Sequence, residues 1–202
     1  MTIIRCDICD LIYASDLPAD RHAHSRRHDE HINGVPWKET DRENIIEENS
    51  ELRLVLIDIT APKFLRIRTT KLGRRANRET RYDFGVYFED EPSIAAIIGI
   101  VEQRAVSILV TQSMDWIARW SWKKKDSREQ PVKVSDAQPR GGCGFLWVLP
   151  KHRRTGMARK MADVAIALSP YVKADFPWQP PFSDSGERFL RGYYPDAFTL
   201  GR

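Results

Sequence analysis

Two cysteines and a group of histidines stand close together at the start of the chain. Cys6 and Cys9 form C-x-x-C, and four of the five histidines follow soon after. Zinc takes four ligands in a tetrahedron, most often thiolate sulfur and imidazole nitrogen. His24 and His28 are four residues apart, so one helical turn presents both rings on one side. The spacing favours zinc bound by Cys6, Cys9, His24 and His28, with His22 as the competitor of His24.

The metal-binding residues mark residues 1–37 as a small separate module. This segment has too few apolar residues for a core of its own, so metal binding would supply most of its folding energy. The weaker alternative is a solvated basic run beside a chance or redox C-x-x-C. Fingers that read DNA usually occur in tandem. With one finger only, the motif does not by itself indicate DNA binding.

Composition sets the broad class of the protein. The 202 residues suffice for one domain beside the module, and 42% are apolar, which allows a real core. Three cysteines, an odd number, fit a reducing compartment better than a disulfide framework. No signal segment and no run of roughly 18 apolar residues is present in the sequence. We expect an intracellular protein outside the membrane, cytoplasmic in a prokaryotic or viral source and nuclear in a eukaryotic one.

The rest of the chain mixes strand and helix signals, which predicts an α/β (α+β) domain over residues 52–202. Residues 38–51 are polar and acidic, and we predict a linker or a short helix there. RAVSILVTQS either extends the sheet or begins a helix, and Trp116 and Trp120, four apart, favour a helix at MDWIARWSW. Further predictions are a strand at RLVLIDIT, a helix from Pro62, a hairpin of DFGVYFED and SIAAIIGIVEQ, a strand at CGFLWVLP, and helices at GMARKMADVAIALS and in the last segment.

A basic glycine loop separates a predicted strand from a predicted helix in WVLPKHRRTGMA. Gly156 and Ala158 are small, so backbone N–H groups can approach phosphate oxygens, and the following helix directs its positive dipole end at them. Arg153 and Arg154 add positive charge. A basic helix start that binds nothing is the alternative, but the strand-loop-helix context favours phosphate binding. The stretch matches R-x-x-G-x-A, with which GNAT acetyltransferases hold the pyrophosphate of acetyl-CoA.

Both ends of the chain resemble the cohesin acetyltransferases, GNAT enzymes with an N-terminal zinc finger. The resemblance lies in CDICDLIY, HSRRHDEHINGVPWKE, CGFLWVLPKHRRTGMARKM and FSDSGERFLRGYY, whereas residues 52–141 match only in element order. Fourteen residues separate Cys9 from His24, as in the family finger, which supports His24 over His22. The resemblance implies a GNAT fold with a mixed central sheet. It also implies acetyl transfer from acetyl-CoA to a lysine of a protein, with a chromosome-associated protein as one candidate.

The resemblance further implies site residues. The family's FSD motif ends at Asp184, the first candidate for the base that takes the amine proton. Asp163 stands where the family has a Glu on the helix after the loop, and Tyr193 is a candidate acid for the leaving thiolate. The ordinary alternatives are a turn cap, a solvated carboxylate and a core phenol. The implied acetyl-CoA contacts are Leu146, Trp147, Val148, Arg153, Arg154, Thr155, Gly156, Met157, Ala158 and Ser183.

Departures from the family pattern keep other functions open. Gly144 and Phe145 stand where the family has Ser-Arg, and Asp163 is one methylene shorter than Glu. One alternative is a GNAT enzyme acting on another amine. A second is a zinc-finger adaptor with impaired catalysis. A third is nucleic-acid binding through RWSWKKK, where interleaved Trp and Lys could stack on bases and neutralise phosphates, although a solvated helix end is the simpler interpretation.

Overall fold

The computed structural model describes residues 1–80, 93–122, 132–133 and 140–202. Helices and strands are mixed along this part of the chain. The helices are α1 (Pro18–Asn33), α2 (Lys63–Thr80), α3 (Met157–Ala167) and α4 (Asp184–Tyr193). The strands are β1 (Ile3–Arg5), β2 (Ile12–Ala14), β3 (Val35–Pro36), β4 (Asn44–Glu48), β5 (Arg53–Ile57), β6 (Ala95–Val101), β7 (Arg104–Met114), β8 (Trp116–Ser121), β9 (Val132–Lys133), β10 (Arg140–Val148), β11 (Pro177–Trp178) and β12 (Ala197–Gly201).

A mixed sheet of ten strands, counted among the described residues, organises the molecule. Its order is β4-β5-β6-β7-β10-β11-β12-β8-β9, with β3 paired to β7. Most neighbours are antiparallel, but β11 runs parallel to both β10 and β12. A parallel pair needs a crossover connection, and α3 provides it between β10 and β11. The start of α3 therefore lies beyond the carboxyl end of β10.

The core sits around the middle strands. Five consecutive residues of β6 and six of β7 are buried, including Ile98 and Ile108, so both faces of these strands are covered. Leu65 and Leu72 of α2 and Met161 of α3 are fully buried in the same cluster. Each such side chain contributes about 1.5–3 kcal/mol by leaving water. This cluster supplies the rigid frame from which the α3 loop projects.

The N-terminal module joins the sheet through the end of α1. Gly34 follows α1 with φ of +87°, and a Cβ there would lie 2.6 Å from the carbonyl oxygen of Ala105. The chain then pairs with β7 through Val35 and Ala105. Trp37 is 1% exposed, and its backbone N–H donates to the Gln103 carbonyl at 2.8 Å. The exit of α1 is therefore fixed to the sheet by backbone bonds and one large buried ring.

Most elements predicted from the sequence are present. The predicted mixed α/β fold is confirmed, as are β5, β6, β10, α2, α3 and the helix in the last segment. RAVSILVTQS extends the sheet as part of β7. The first strand of the predicted hairpin, DFGVYFED, lies outside the described residues. In the part of the chain that the structure describes, no helix is long and apolar enough to cross a membrane.

Two predictions of local structure were wrong. MDWIARWSW forms strand β8, because Ile117 to Ser121 pair with β12 in antiparallel register, and this pairing outweighs the helical spacing of Trp116 and Trp120. Residues 38–51 were predicted as a linker or a short helix. They contain β4, which pairs with β5 and lengthens the edge of the main sheet.

Candidate functional site

The four predicted metal ligands meet at one point. Sγ of Cys6 and Cys9 and one ring nitrogen each of His24 and His28 all lie within 4.8 Å of one another. Ligand atoms around a tetrahedral zinc are about 3.3–3.8 Å apart, so a small contraction would close the site. Nε2 of His24 is buried and has no hydrogen-bond partner among the described residues. A metal ion would satisfy this nitrogen, so the residues present fit zinc.

Local structure explains how the ligands converge. The knuckle after β1 is closed by two backbone bonds, Cys6 N–H to the Leu11 carbonyl and Asp10 N–H to the Cys6 carbonyl. α1 carries both histidines, and the ring of Tyr13 stacks on His24 with centroids 4.1 Å apart. The structure thus brings His24, not His22, into the cluster.

The thiols differ in their surroundings. A backbone hydrogen bond at Cys9 is the main cause that lowers the pKa of Cys6 to about 6, so this sulfur carries negative charge near neutral pH. Cys9 is 3% exposed, and burial raises its pKa. A cation among these sulfurs would favour the thiolate of both.

A gap opens in the sheet beside β10. β11 pairs with β10 only at Cys143 and Trp178 among the described residues, and the Gln179 N–H donates to the Cys143 carbonyl at 2.9 Å. From Leu146 to Val148, the strand pairing of β10 with another described strand is that with β7. Alternate backbone groups on the other edge of this segment, which includes Leu146 and Trp147, therefore face the gap. An extended polar ligand can bond to them as an added strand would.

The predicted cofactor loop lies at the end of this gap. Gly156 caps α3 with φ of +87°, and a Cβ there would meet no described atom within 4 Å. No side chain of the described residues caps the helix, and its first turn carries no acidic residue. The first N–H groups of α3 are therefore open to an anion. Met157 is buried and anchors this turn, whereas Arg154 and Thr155 are exposed.

The two arginines of the loop have different roles in the structure. Arg153 donates from Nε to the Val148 carbonyl at 2.8 Å, and its Nη2 pairs with Oε1 of Glu79 on α2. Its guanidinium is thus tied to the protein. Arg154 is exposed and has a positive φ of 66°. Of the two, Arg154 is the residue whose charge is available to a ligand.

Two of the three predicted catalytic residues are in contact. The Tyr193 hydroxyl at the end of α4 donates to Oδ1 of Asp163 on α3. Tyr193 is 3% exposed, and burial, followed by the Asp163 carboxylate, raises its pKa well above the usual value for a phenol. Nζ of Lys173 lies 3.7 Å from the centre of the Tyr193 ring. The pair can therefore hold a proton and accept a cation at the ring face.

The third predicted catalytic residue lies apart from this pair. Asp184 begins α4 and Tyr193 ends it. At about 1.5 Å per residue, the two lie about 13 Å apart along the helix axis. Ser183 is the N-cap, and its hydroxyl accepts from the Gly186 N–H at 3.2 Å. Asp184 is exposed, with its carboxylate near the positive end of the helix dipole. The two ends of α4 therefore cannot act on one atom.

Sequence reasoning missed two glutamines next to Gly144. The register of β10 shifts between Cys143 and Phe145, which places Gly144 at a bulge. A Cβ on Gly144 would lie 2.7 Å from Cδ of Gln112, so that amide fills the space a side chain would take. Gln112 Nε2 also donates to Oε1 of Gln179. These residues are far apart in sequence, and no motif signals their meeting.

Buried groups surround Cys143 and Trp178, where β10 pairs with β11. Cys143 is 2% exposed, and burial raises the pKa of its thiol far above the usual range, which makes it a poor nucleophile. Trp178 Nε1–H donates to the Tyr194 hydroxyl at 3.1 Å. Burial raises the pKa of Tyr194 to about 12. Both phenols at the end of α4 therefore stay neutral at physiological pH.

Comparison with known proteins finds related sequences. No protein-family model matches the chain. It is 24% identical over 82% of its length to N-acetyltransferase ECO1 of Debaryomyces hansenii, a match that covers 67% of that protein. It is 20% identical over its full length to N-acetyltransferase ECO1 of Kluyveromyces lactis, covering 89% of that protein. It is also 22% identical over 78% of its length to N-acetyltransferase ESCO2 of Mus musculus, covering 27% of that protein.

Solved structures show the same fold. The xEco2 acetyltransferase domain bound to a K105-CoA conjugate superposes with a TM-score of 0.64 at 16% identity, over 79% of this chain and 97% of that domain. A second structure of the xEco2 acetyltransferase domain gives a TM-score of 0.60 over 80% of this chain and 97% of that one. Curated relatives and solved folds therefore agree with each other.

Proposed function

We propose that the chain, which is similar to N-acetyltransferases of the cohesin acetyltransferase type, transfers the acetyl group of acetyl-CoA to a lysine side chain of a protein. The observation that carries this proposal is the uncapped start of α3 at the end of the gap beside β10. The free N–H groups at the start of α3 can bind a phosphate. The open strand edge beside the gap can bind an extended chain that carries amide groups.

Acetyl-CoA would be held along this gap by backbone groups. The N–H groups at the start of α3, from Gly156 to Ala158, bind the pyrophosphate, and Arg154 adds charge. The open edge at Leu146 to Val148 binds the amide-bearing arm. Backbone N–H groups of the same strand segment, Leu146 to Val148, would also polarise the thioester carbonyl, because they are held in place before the substrate binds.

Two side chains would carry out the two proton transfers, with Asp184 as the base and Tyr193 as the acid. A lysine ammonium must lose a proton before it can attack. Asp184, exposed at the start of α4, accepts that proton through water molecules, because it lies about 13 Å from Tyr193 along the helix axis. Tyr193 is the candidate acid for the leaving thiolate. It stays protonated at neutral pH because burial and Asp163 raise its pKa. Its hydroxyl must exchange the hydrogen bond to Asp163 for one to the sulfur, and because the raised pKa opposes full transfer, the phenol acts first as a hydrogen-bond donor to the thiolate.

An acceptor amine other than lysine is the second candidate, and it rests on Gly144. The amides of Gln112 and Gln179 occupy the bulge where the family has Ser-Arg. Uncharged amides recognise a different acceptor from a Ser-Arg pair, because they offer hydrogen bonds without a positive charge. A panel of lysine peptides, N-terminal amines and small amines separates the two candidates.

We also propose that Cys6, Cys9, His24 and His28 bind Zn²⁺ as a structural ion. Four protein ligands leave no open position, which is the arrangement of a structural site. The ion would supply folding energy to residues 1–37 and take no part in acetyl transfer. Zinc content of the purified protein, at one equivalent expected, checks this assignment.

Acetyl-CoA binding and turnover test the main proposal. Purified protein is titrated with acetyl-CoA by calorimetry, and CoA release is followed with lysine peptides. Asp184→Asn and Tyr193→Phe should each lower kcat by about 10²- to 10⁴-fold with little change in acetyl-CoA affinity. Asp41→Asn, an exposed carboxylate outside the site, serves as control and should be unchanged. Absence of acetyl-CoA binding by the wild type would exclude the proposed function.

A further inference from the structure

A set of polar contacts connects the zinc-binding module to the cofactor loop. Arg75 of α2 donates from Nη2 to the carbonyl of His31 near the end of α1, at 3.1 Å. The same Nη2 lies 3.3 Å from Oε2 of Glu79. The other oxygen of Glu79 pairs with Arg153, whose Nε holds the Val148 carbonyl at 2.8 Å. These hydrogen bonds and ion pairs therefore connect α1 to the loop through two residues of α2.

A second contact runs beside the first. Nζ of Lys151, in the short turn that precedes the loop, donates to Oδ1 of Asn33 at 3.0 Å. Asn33 is the last residue of α1. The end of α1 therefore contacts Lys151 directly and is linked to Arg153 through Arg75 and Glu79.

Apolar packing contributes little between these two helices. No residue of α1, which the structure describes in full, is buried. A cavity of about 110 Å³ separates α1 from α2 and is lined by polar residues of both, including Arg27, Glu30, Arg75 and Glu79. With a polar cavity between them, the hydrogen bond from Arg75 to His31 is a direct link between α1 and α2, beside the backbone pairing that holds the exit of α1 on β7.

Arg75 makes this arrangement costly to break. It is 4% exposed, and its guanidinium lies 5.4 Å from the centre of the Trp147 ring on β10. Nε and Nη1 have no hydrogen-bond partner among the described residues. Glu79 is therefore the compensating carboxylate for a buried cation, and its loss would leave that charge unpaired.

We propose that Glu79 and Arg75 are positioning residues, which fix the position of Arg153 and the cofactor loop relative to the zinc-binding module. Acetyl-CoA binding and the order of the end of α1 are then coupled. Coupling of this kind is reciprocal, so a ligand at the loop also stabilises α1. The proposal rests on the proposed function, because it takes the loop to be the acetyl-CoA site.

Glu79→Gln in the full-length protein tests the link. We expect the Kd for acetyl-CoA to rise about five- to tenfold, a common size for such coupling, with kcat within about twofold of wild type. Glu47→Gln is the matched control, because Glu47 forms an ion pair with Lys160 on α3 at 2.5 Å without contacting the loop or α1. Its Kd should equal that of the wild type.

Hydrogen–deuterium exchange distinguishes coupling from a purely local structural role of Glu79, because only coupling makes acetyl-CoA change the exchange rate at the end of α1. In the wild type, acetyl-CoA should slow exchange at the Gly34 amide, which bonds to the Glu30 carbonyl at the end of α1. In Glu79→Gln this protection should disappear. If Glu79→Gln does not fold, Glu79→Asp keeps the charge but cannot reach both arginines, and the same rise in Kd is expected.

The outcomes separate this proposal from the proposed function. If the wild type does not bind acetyl-CoA, the proposed function fails. If it binds and Glu79→Gln binds equally well, or if α1 gains no protection in the wild type, the coupling is overturned while the enzyme assignment stands.

Discussion

The N-terminal module and the mixed sheet reach ordered structures by different physical means. In the module, large apolar side chains such as Ile3, Ile8 and Ile12 are exposed, and α1 buries none of its residues. In the sheet, whole runs of β6 and β7 are buried. A segment without a core needs directional bonds, here the four ligands at Cys6, Cys9, His24 and His28, whereas the sheet is stabilised by buried area. Different treatments should therefore unfold the two regions.

Metal removal should give the largest effect, and it should unfold the module while the sheet stays folded. Structural zinc contributes about 10–16 kcal/mol to small zinc-dependent folds, far more than the apolar burial available to residues 1–37. A strong chelator should abolish the helical signal of α1 while the sheet still melts cooperatively. Circular dichroism measures how much helix is lost, and amide exchange assigns the loss to α1 or to the sheet domain. Loss of the sheet at the same chelator concentration would contradict the comparison.

A core deletion should give the next largest effect and should act on the sheet. Ile98 is fully buried in β6. Ile98→Ala leaves a cavity and should reduce the free energy of unfolding by about 2–5 kcal/mol. Denaturant unfolding measures this loss, and zinc stoichiometry should stay at the wild-type value. A drop in bound zinc would mean that the module depends on the core more than its contacts indicate.

The junction between the regions should give an intermediate effect. Gly34 has a positive φ, and a Cβ would approach the Ala105 carbonyl to 2.6 Å. Gly34→Ala should therefore cost about 1–3 kcal/mol through backbone strain and the close contact. Gly192→Ala is the matched control, since a Cβ at Gly192 meets no described atom within 4 Å. Equal melting temperatures for the two variants would show that the junction is not rigid.

An exposed apolar residue of the module should give the smallest effect. Ile12 lies on β2 and is 62% exposed. Ile12→Ser should change the free energy of unfolding by no more than about 0.5 kcal/mol, as surface substitutions usually do. Chemical denaturation with zinc present measures it. A loss of 2 kcal/mol or more, as expected on core deletion, would indicate a hidden core in the module and remove the contrast with the sheet.

The candidate site was predictable where neighbours in sequence act together. Cys6, Cys9, His24 and His28 share one short segment, and Gly156 sits in a strand-loop-helix motif whose geometry is local. The prediction that Arg153 supplies charge to the phosphates missed its engagement with Glu79, 74 residues away. The assignments of Asp184, Asp163 and Tyr193 remain predictions, and the structure adds that Asp184 stands apart from the other two.

The sequence by itself determined the α/β class, the metal cluster and the loop at the start of α3, because helix periodicity, ligand spacing and glycine placement act over a few residues. Only the tertiary structure decided that MDWIARWSW is a strand, that Gln112 fills the space above Gly144, and that Glu79 connects the end of α1 to Arg153. Each of these depends on a partner distant in the chain, and strand pairing and buried charge compensation are settled only when such partners meet.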